Sequence, residues 1–334
     1  MPNAKIAGLG FYVPENVVDN HELSKIVNTN DEWVQERSGI VERRYFTEGK
    51  DTVANMGANA ARMAIERAGI TPEDIDFIIF ATLSPDYYFP GSGVLLQREL
   101  GISHLEIPAL DIRNQCSGFI YGISIADQFI KSGTYKNILL VGSEIQSPLF
   151  DYSDEGRHVT VLFGDGAGAA VIQPTEKEGQ GVLTTKLHAD GTYAEKLAVL
   201  APTTRKAPFI SNEMIENGDI YTVMEGRFVF KLAVTKFPEV VNEALDATNL
   251  GLEDIDLFIP HQANLRIAEA VRKSLGLPEE KVYNNIMRYG NTTAASIPIA
   301  LTEAWEQGKL KEGDLLCLAA FGSGFTWGST LIRW

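Results

Sequence analysis

The chain has 334 residues, 45% of them hydrophobic and 22% charged, with a formal charge of -15 and two cysteines. A balance this acidic excludes wholesale nucleic-acid binding, which needs a basic footprint for the phosphate backbone. The length holds about two domains' worth of core, and two cysteines exclude a disulfide framework or a cysteine-built zinc site.

Residues 1–14 lack the basic start and apolar run of a signal peptide, and no stretch of about 18 apolar residues is present to span a bilayer. The expectation is a soluble protein with no membrane partner in a reducing, cytoplasmic compartment, where a thiol is free to react. Ala64-Ile65-Glu66-Arg67-Ala68 followed by Glu73-Asp74-Ile75-Asp76-Phe77-Ile78-Ile79 predicts a helix, a turn and a buried strand. The strands at 77–81 and 138–141 are apolar throughout, as strands covered on both faces are.

Between them, Asp111-Ile112-Arg113-Asn114-Gln115-Cys116-Ser117-Gly118 ends a strand and opens a helix. That helix runs through Phe119, Ile120, Ile123, Ile125, Phe129 and Ile130 and stops near Gly133. At such a helix start, unpaired N–H groups and the macrodipole stabilise a thiolate, so Cys116 reads as a nucleophile. Free cysteine is also among the most buried residue types, and this segment by itself leaves both readings open. Phe163-Gly164-Asp165-Gly166-Ala167-Gly168 imitates a phosphate cradle, but Ala169-Ala170-Val171-Ile172 continues it as a strand rather than a helix. Close backbone packing is the better account.

A polar segment around 173–179 separates two halves, taken as 1–175 and 176–334. The second half repeats the first. Ala244-Leu245-Asp246-Ala247 and Glu253-Asp254-Ile255-Asp256-Leu257-Phe258-Ile259 lie 180 residues after their counterparts, counted from Glu73 to Glu253. Gly133 before the strand at 138 has its match in Gly308 before Leu315-Leu316-Cys317-Leu318, an offset of 175 at the glycines and 177 in the strands. Duplicated α/β units around a pseudo-twofold axis follow. His261 ends the repeated strand at the strand-to-helix turn where sites form in α/β units. Asn291, in Tyr289-Gly290-Asn291-Thr292-Thr293, lies 175 residues after Cys116, and the repeat predicts it as the pseudo-symmetric counterpart of the cysteine. Cys317 sits in an apolar strand and reads as core.

At these residues the chain resembles the thiolase superfamily and, within it, the β-ketoacyl-acyl carrier protein synthase III family. The resemblance runs from Lys5-Ile6-Ala7-Gly8-Leu9-Gly10 to Phe325-Thr326-Trp327-Gly328-Ser329. Its most specific strings are Asn30-Asp31-Glu32-Trp33, Phe163-Gly164-Asp165-Gly166-Ala167-Gly168, His188-Ala189-Asp190-Gly191, Pro260-His261-Gln262-Ala263-Asn264-Leu265-Arg266 and Gly290-Asn291-Thr292. Elongating ketosynthases carry a second histidine where Asn291 stands. Biosynthetic thiolases carry a second cysteine where Ala320 stands, and plant-type polyketide synthases lack the His-Gln-Ala-Asn string.

The resemblance implies a five-layered αβαβα fold of two thiolase-like halves. It implies Cys116, His261 and Asn291 as catalytic residues, with the backbone N–H groups of Cys116 and Ser323 as oxyanion donors. Trp33 and Arg157 would hold the adenine of coenzyme A with Arg37 near its phosphates, and Gly226, Phe230 and Asn264 would line the pantetheine tunnel. Phe89 would close the acyl pocket of the partner in a homodimer, and Lys231, Arg266, Arg272 and Lys273 would dock an acidic acyl carrier protein. No metal or other cofactor is implied beyond the substrates acyl-CoA and malonyl-acyl carrier protein. Three competitors remain: a thiolase-fold acyltransferase or secondary-metabolite ketosynthase with another acceptor, a cysteine thioesterase, and a non-catalytic acyl-binding protein. The segment 201–218 motivates the first, because it would border the tunnel mouth.

Overall fold

Strands buried on every residue are covered on both faces, and four runs of this chain meet that description over their whole length, Phe77–Ala81, Ile138–Glu144, Leu257–Pro260 and Leu315–Gly322. The computed structural model describes residues 2–334. In chain order the strands of the first half are β1 (Asn3–Tyr12), β2 (Asn16–Asp19), β3 (Glu42–Tyr45), β4 (Phe77–Ala81), β5 (Ala109–Ile112), β6 (Ile138–Glu144) and β7 (Gly166–Thr175). Those that follow are β8 (Gly181–Ala189), β9 (Leu197–Val199), β10 (Thr222–Met224), β11 (Leu257–Pro260), β12 (Leu315–Gly322) and β13 (Thr326–Arg333).

Two sheets form the frame. The first has the order β1-β7-β6-β4-β5 and the second β11-β12-β13-β8. In each, a parallel pair (β4 with β6, β11 with β12) continues into two antiparallel neighbours. Thus β4, β6, β7 and β1 correspond to β11, β12, β13 and β8. The recurring Glu-Asp-Ile-Asp string has a physical basis in this correspondence. Asp74 accepts the Thr71 N–H at 2.8 Å and Asp254 the Gly251 N–H at 2.8 Å, each closing a short turn into its strand. Two residues on, Asp76 accepts from Asn137 at 3.0 Å and Asp256 from Leu315 at 2.8 Å, fixing the start of β4 to β6 and of β11 to β12.

Helices Gly118–Ser132 and Ser296–Glu306 lie between the sheets and share one core with both. Helix Val53–Arg67 covers the outer face of the first sheet, and helix Gly226–Asp246 that of the second. The fold is the five-layered αβαβα arrangement of the thiolase-like proteins. Helix Gly118–Ser132 ends where Gly133 turns left-handed at φ 71°. Among the described residues no helix is long and apolar enough to cross a membrane.

Candidate active site

Strand β5 stops at Ile112, and a single 3-10 turn, Gln115–Ser117, carries Cys116 before helix Gly118–Ser132 begins. The same turn recurs as Thr293–Ala295 ahead of helix Ser296–Glu306. In both, a non-glycine residue is left-handed, Gln115 at φ 42° and Thr293 at φ 44°. Such positions cost about 1–3 kcal/mol each and persist at sites where the surroundings hold them. Gly322, at the end of β12, abuts the cysteine so closely that a Cβ there would lie 2.6 Å from Cys116 Cβ and 2.9 Å from its sulfur. Gly142 in β6 abuts Ala294 in the same way. The pseudo-symmetric counterpart of Cys116 is therefore Ala294, not Asn291 as the raw offset suggests. Loops of unequal length between the repeats displace the correspondence by three residues.

Cys116 is 6% exposed. Burial pushes its thiol up to about 12, and the buried Glu144 carboxylate adds to the rise. The backbone N–H groups of Cys116 and Ser323 act in the opposite direction but do not outweigh burial. Burial thus acts against the thiolate that the helix start favours. Alkylation of Cys116 by iodoacetamide should accordingly climb about tenfold per pH unit from about pH 6 to about pH 9, followed by peptide mapping. A plateau below about pH 8 would contradict the raised value.

His261 follows β11 and is 2% exposed, its N–H bonded to the Ala319 carbonyl at 2.8 Å. Nδ1 lies 2.6 Å from the Ser296 hydroxyl, and Nε2 is buried with no hydrogen-bond partner among the described residues. Burial alone lowers the ring to about 3, so it is neutral at ordinary pH. Ser296 Oγ also accepts, weakly, from the Gln262 N–H at 3.4 Å. With the Ser296 hydroxyl donating to Nδ1, the ring hydrogen sits on Nε2 and that nitrogen is a donor. Asn291, 5% exposed, is held by its backbone to Leu162 at 2.8 Å and Gly164 at 3.1 Å. Its Oδ1 accepts from the Thr293 N–H at 2.9 Å. The acceptor of the amide is spent, and Nδ2 is left as a donor.

Cys116, His261 and Asn291 line one cavity of about 910 Å³, and Gly226, Phe230, Asn264 and Ser323 line it too. Asn264 is otherwise committed: it caps helix Leu265–Leu275 through Arg266 at 2.9 Å and donates to the Arg37 carbonyl at 3.0 Å. Ser323 turns its hydroxyl to the Leu197 carbonyl. Ala201, Pro202 and Tyr221 also face the cavity, so the segment 201–218 borders it, and it contains a short helix, Asn212–Glu216.

Trp33, Arg37 and Arg157 lie outside the cavity lining and meet one another. The Arg37 and Arg157 guanidinium carbons stand 4.8 and 5.0 Å from the Trp33 ring centroid. Phe89 is 81% exposed, beside the half-exposed Tyr88 that reaches the cavity. Lys231, Arg266 and Lys273 are exposed, whereas Arg272 is spent on Glu269 at 2.9 Å and the Leu277 carbonyl at 3.0 Å.

Three further residues support the site and carry no local sequence signal. Ser296 reaches His261 across 35 residues. Glu144 ends β6 as a fully buried carboxylate that accepts from Thr82, Leu83 and Ser84, with the Ser84 hydroxyl at 2.7 Å. Gly322 makes room for the cysteine. Cys317 is wholly buried in β12 and packs 3.7 Å from the Ser329 hydroxyl.

A duplicated αβαβα fold with a buried cysteine, histidine and asparagine on one cavity defines the class: a thiolase-fold acyltransferase of the condensing type. The family models for the 3-oxoacyl-[acyl-carrier-protein] synthase III and its C-terminal part match residues 110–191 and 245–334. A β-ketoacyl-[acyl-carrier-protein] synthase III of Coxiella burnetii is 44% identical over 333 residues, covering 100% of both chains. One from Caldanaerobacter subterraneus is 45% identical over 332 residues, covering 99% of this chain and 98% of its own. The crystal structure of the 3-oxoacyl-[acyl-carrier-protein] synthase III from Aquifex aeolicus superposes with a TM-score of 0.90 at 44% identity, covering 99% of this chain and 100% of that one. The chain belongs to the β-ketoacyl-[acyl-carrier-protein] synthase III family.

Proposed function

We propose that the chain performs the decarboxylative Claisen condensation that starts fatty acid synthesis, joining an acyl-CoA primer to malonyl-acyl carrier protein. The observation that carries this reading is the pair of donors left over at the cavity, His261 Nε2 and Asn291 Nδ2, facing the same space as Cys116. A hydrolase has no use for a second side-chain donor of that kind.

In the first half-reaction the Cys116 sulfur attacks the thioester carbonyl, the C–S bond to CoA breaks, and the thiol proton leaves on the CoA sulfur. The backbone N–H groups of Cys116 and Ser323 receive the carbonyl oxygen as it becomes an oxyanion. In the second, malonyl thioester loses CO₂ and its carbonyl oxygen becomes an enolate oxygen, bound by His261 and Asn291. The carbanion then attacks the acyl carbonyl and the Cys116 sulfur departs. Loss of CO₂ draws the reaction forward, and no cofactor beyond the two thioesters takes part. Trp33, Arg37 and Arg157 take the nucleotide end of CoA, an adenine replacing one guanidinium on the indole face, while Gly226, Phe230 and Asn264 line the path inward. A second copy of the chain supplies Phe89 to close the acyl pocket, for which the exposure of Phe89 argues. The enzyme works in the cytoplasm, where a reactive thiol survives.

Mass spectrometry of the intact protein incubated with a panel of acyl-CoAs tests the reading. One acyl group should add at Cys116, and CO₂ should be released only with malonyl thioester. Acyl transfer without CO₂ would favour a different acceptor, and rapid loss of the acyl group to water a thioesterase. Lys231, Arg266 and Lys273 form the docking face for the acidic carrier protein, with Arg272 structural in its helix. The KM for malonyl-acyl carrier protein should therefore rise steeply as salt goes from about 0.05 M to about 0.5 M, while the KM for acyl-CoA rises less.

A further inference from the structure

Arg43, in β3, is 0% exposed and does not line the cavity that holds Cys116. No carboxylate pairs with it. One guanidinium nitrogen donates to the Asn20 side-chain oxygen at 2.7 Å and the Val18 carbonyl at 3.2 Å, and the other to the Val161 carbonyl at 3.0 Å. A buried cation neutralised by no anion is costly, and an apolar residue of the same volume often serves a core as well. Its fork, however, joins from within the core two elements that otherwise meet at the surface, where Arg157 donates to the Asn28 carbonyl at 2.9 Å. Asn20, itself wholly buried, passes the contact to Asp31 at 2.8 Å, the first residue of helix Asp31–Ser38, which carries Trp33 and Arg37. Val161 is the cap of helix Arg157–Thr160, which carries Arg157.

We propose that Arg43 is a positioning residue that sets the spacing of the Trp33–Arg157 clamp and so fixes preference for a nucleotide-bearing thioester. The proposal rests on the reading of that clamp as the nucleotide end of the CoA site. Two parallel N–H donors in a rigid plane hold two acceptors at a set separation, which a flexible or apolar side chain does not do. The stem of Arg43 also packs against Gly164 and Gly290, where a Cβ would come within 3.0 and 3.4 Å of Arg43 Cβ. Methionine keeps that stem and removes only the fork.

The test compares one acyl group carried on CoA and on pantetheine. In Arg43→Met the ratio of kcat/KM for acyl-CoA to that for acyl-pantetheine should fall about tenfold, the scale of a lost stacking contact. Equal loss on both substrates, or no change in the ratio, overturns the proposal. Trp33→Ala, measured alongside, separates the two layers of the reading. An unchanged ratio in Trp33→Ala overturns the clamp itself. A changed ratio there with an unchanged one in Arg43→Met overturns only the role of Arg43. Where Arg43→Met yields no folded protein, Asn20→Ala severs the Trp33 side alone, with the same ratio expected to fall and the same unchanged ratio counting against it.

Discussion

Cys116→Ala should gain no mass with any acyl-CoA and should lose condensation by about 10⁴-fold or more. A loss this large is expected because, on the proposed mechanism, the cysteine carries the acyl intermediate, and its position admits no substitute. Gly322 presses on its Cβ, the left-handed Gln115 sets its turn, and Cys317 is sealed in the core of the second sheet. Cys317→Ala, which deletes one buried sulfur that does not line the cavity, should still take up the acyl group. Uptake of acyl mass by Cys116→Ala would place the nucleophile elsewhere, and full biological activity of that variant would support an acyl-binding protein that does no chemistry.

His261→Ala and Asn291→Ala should each lower condensation by about 10²–10³ while the acyl-enzyme still forms. The two half-reactions separate because the enolate donors serve only the second. With the enzyme acylated in advance, malonyl decarboxylation should be flat down to about pH 5. The sign follows from burial: the His261 ring is lowered to about 3, so protonation, which would alter its role, sets in only below that value. A limb near pH 6.5 would mean the ring is exposed to solvent when substrate is bound. Loss of acyl-enzyme formation in either variant would assign these donors to the first step instead.

Much of this was legible in one dimension. The Glu-Asp-Ile-Asp string appears twice because each copy closes a local turn through its first aspartate, while the second aspartate ties one strand end to the next across 61 and 59 residues. The helix after Cys116 was readable from its apolar residues and its stop at Gly133. The glycine-rich segment at 163–168 was correctly read as close packing: a Cβ at Gly164 would lie 2.3 Å from the Tyr289 carbonyl. Pairing Asn291 with Cys116 by offset was wrong, since residue counting does not see where the two turns begin. The opposing effect of burial and of Glu144 on the Cys116 thiol is invisible in sequence, because a helix start can be recognised from neighbours while burial cannot.

By itself, then, the amino-acid sequence determined the duplication, the α/β layering and the family, and it singled out Cys116, His261 and Asn291, which line one cavity, since each depends on periodicity or on short strings. Tertiary structure alone decided which atoms remain free to act. Ser296 takes Nδ1 of the histidine, Thr293 takes the oxygen of the asparagine, and burial pushes the cysteine thiol up. Those outcomes depend on groups brought together from distant segments and on the water that packing removes.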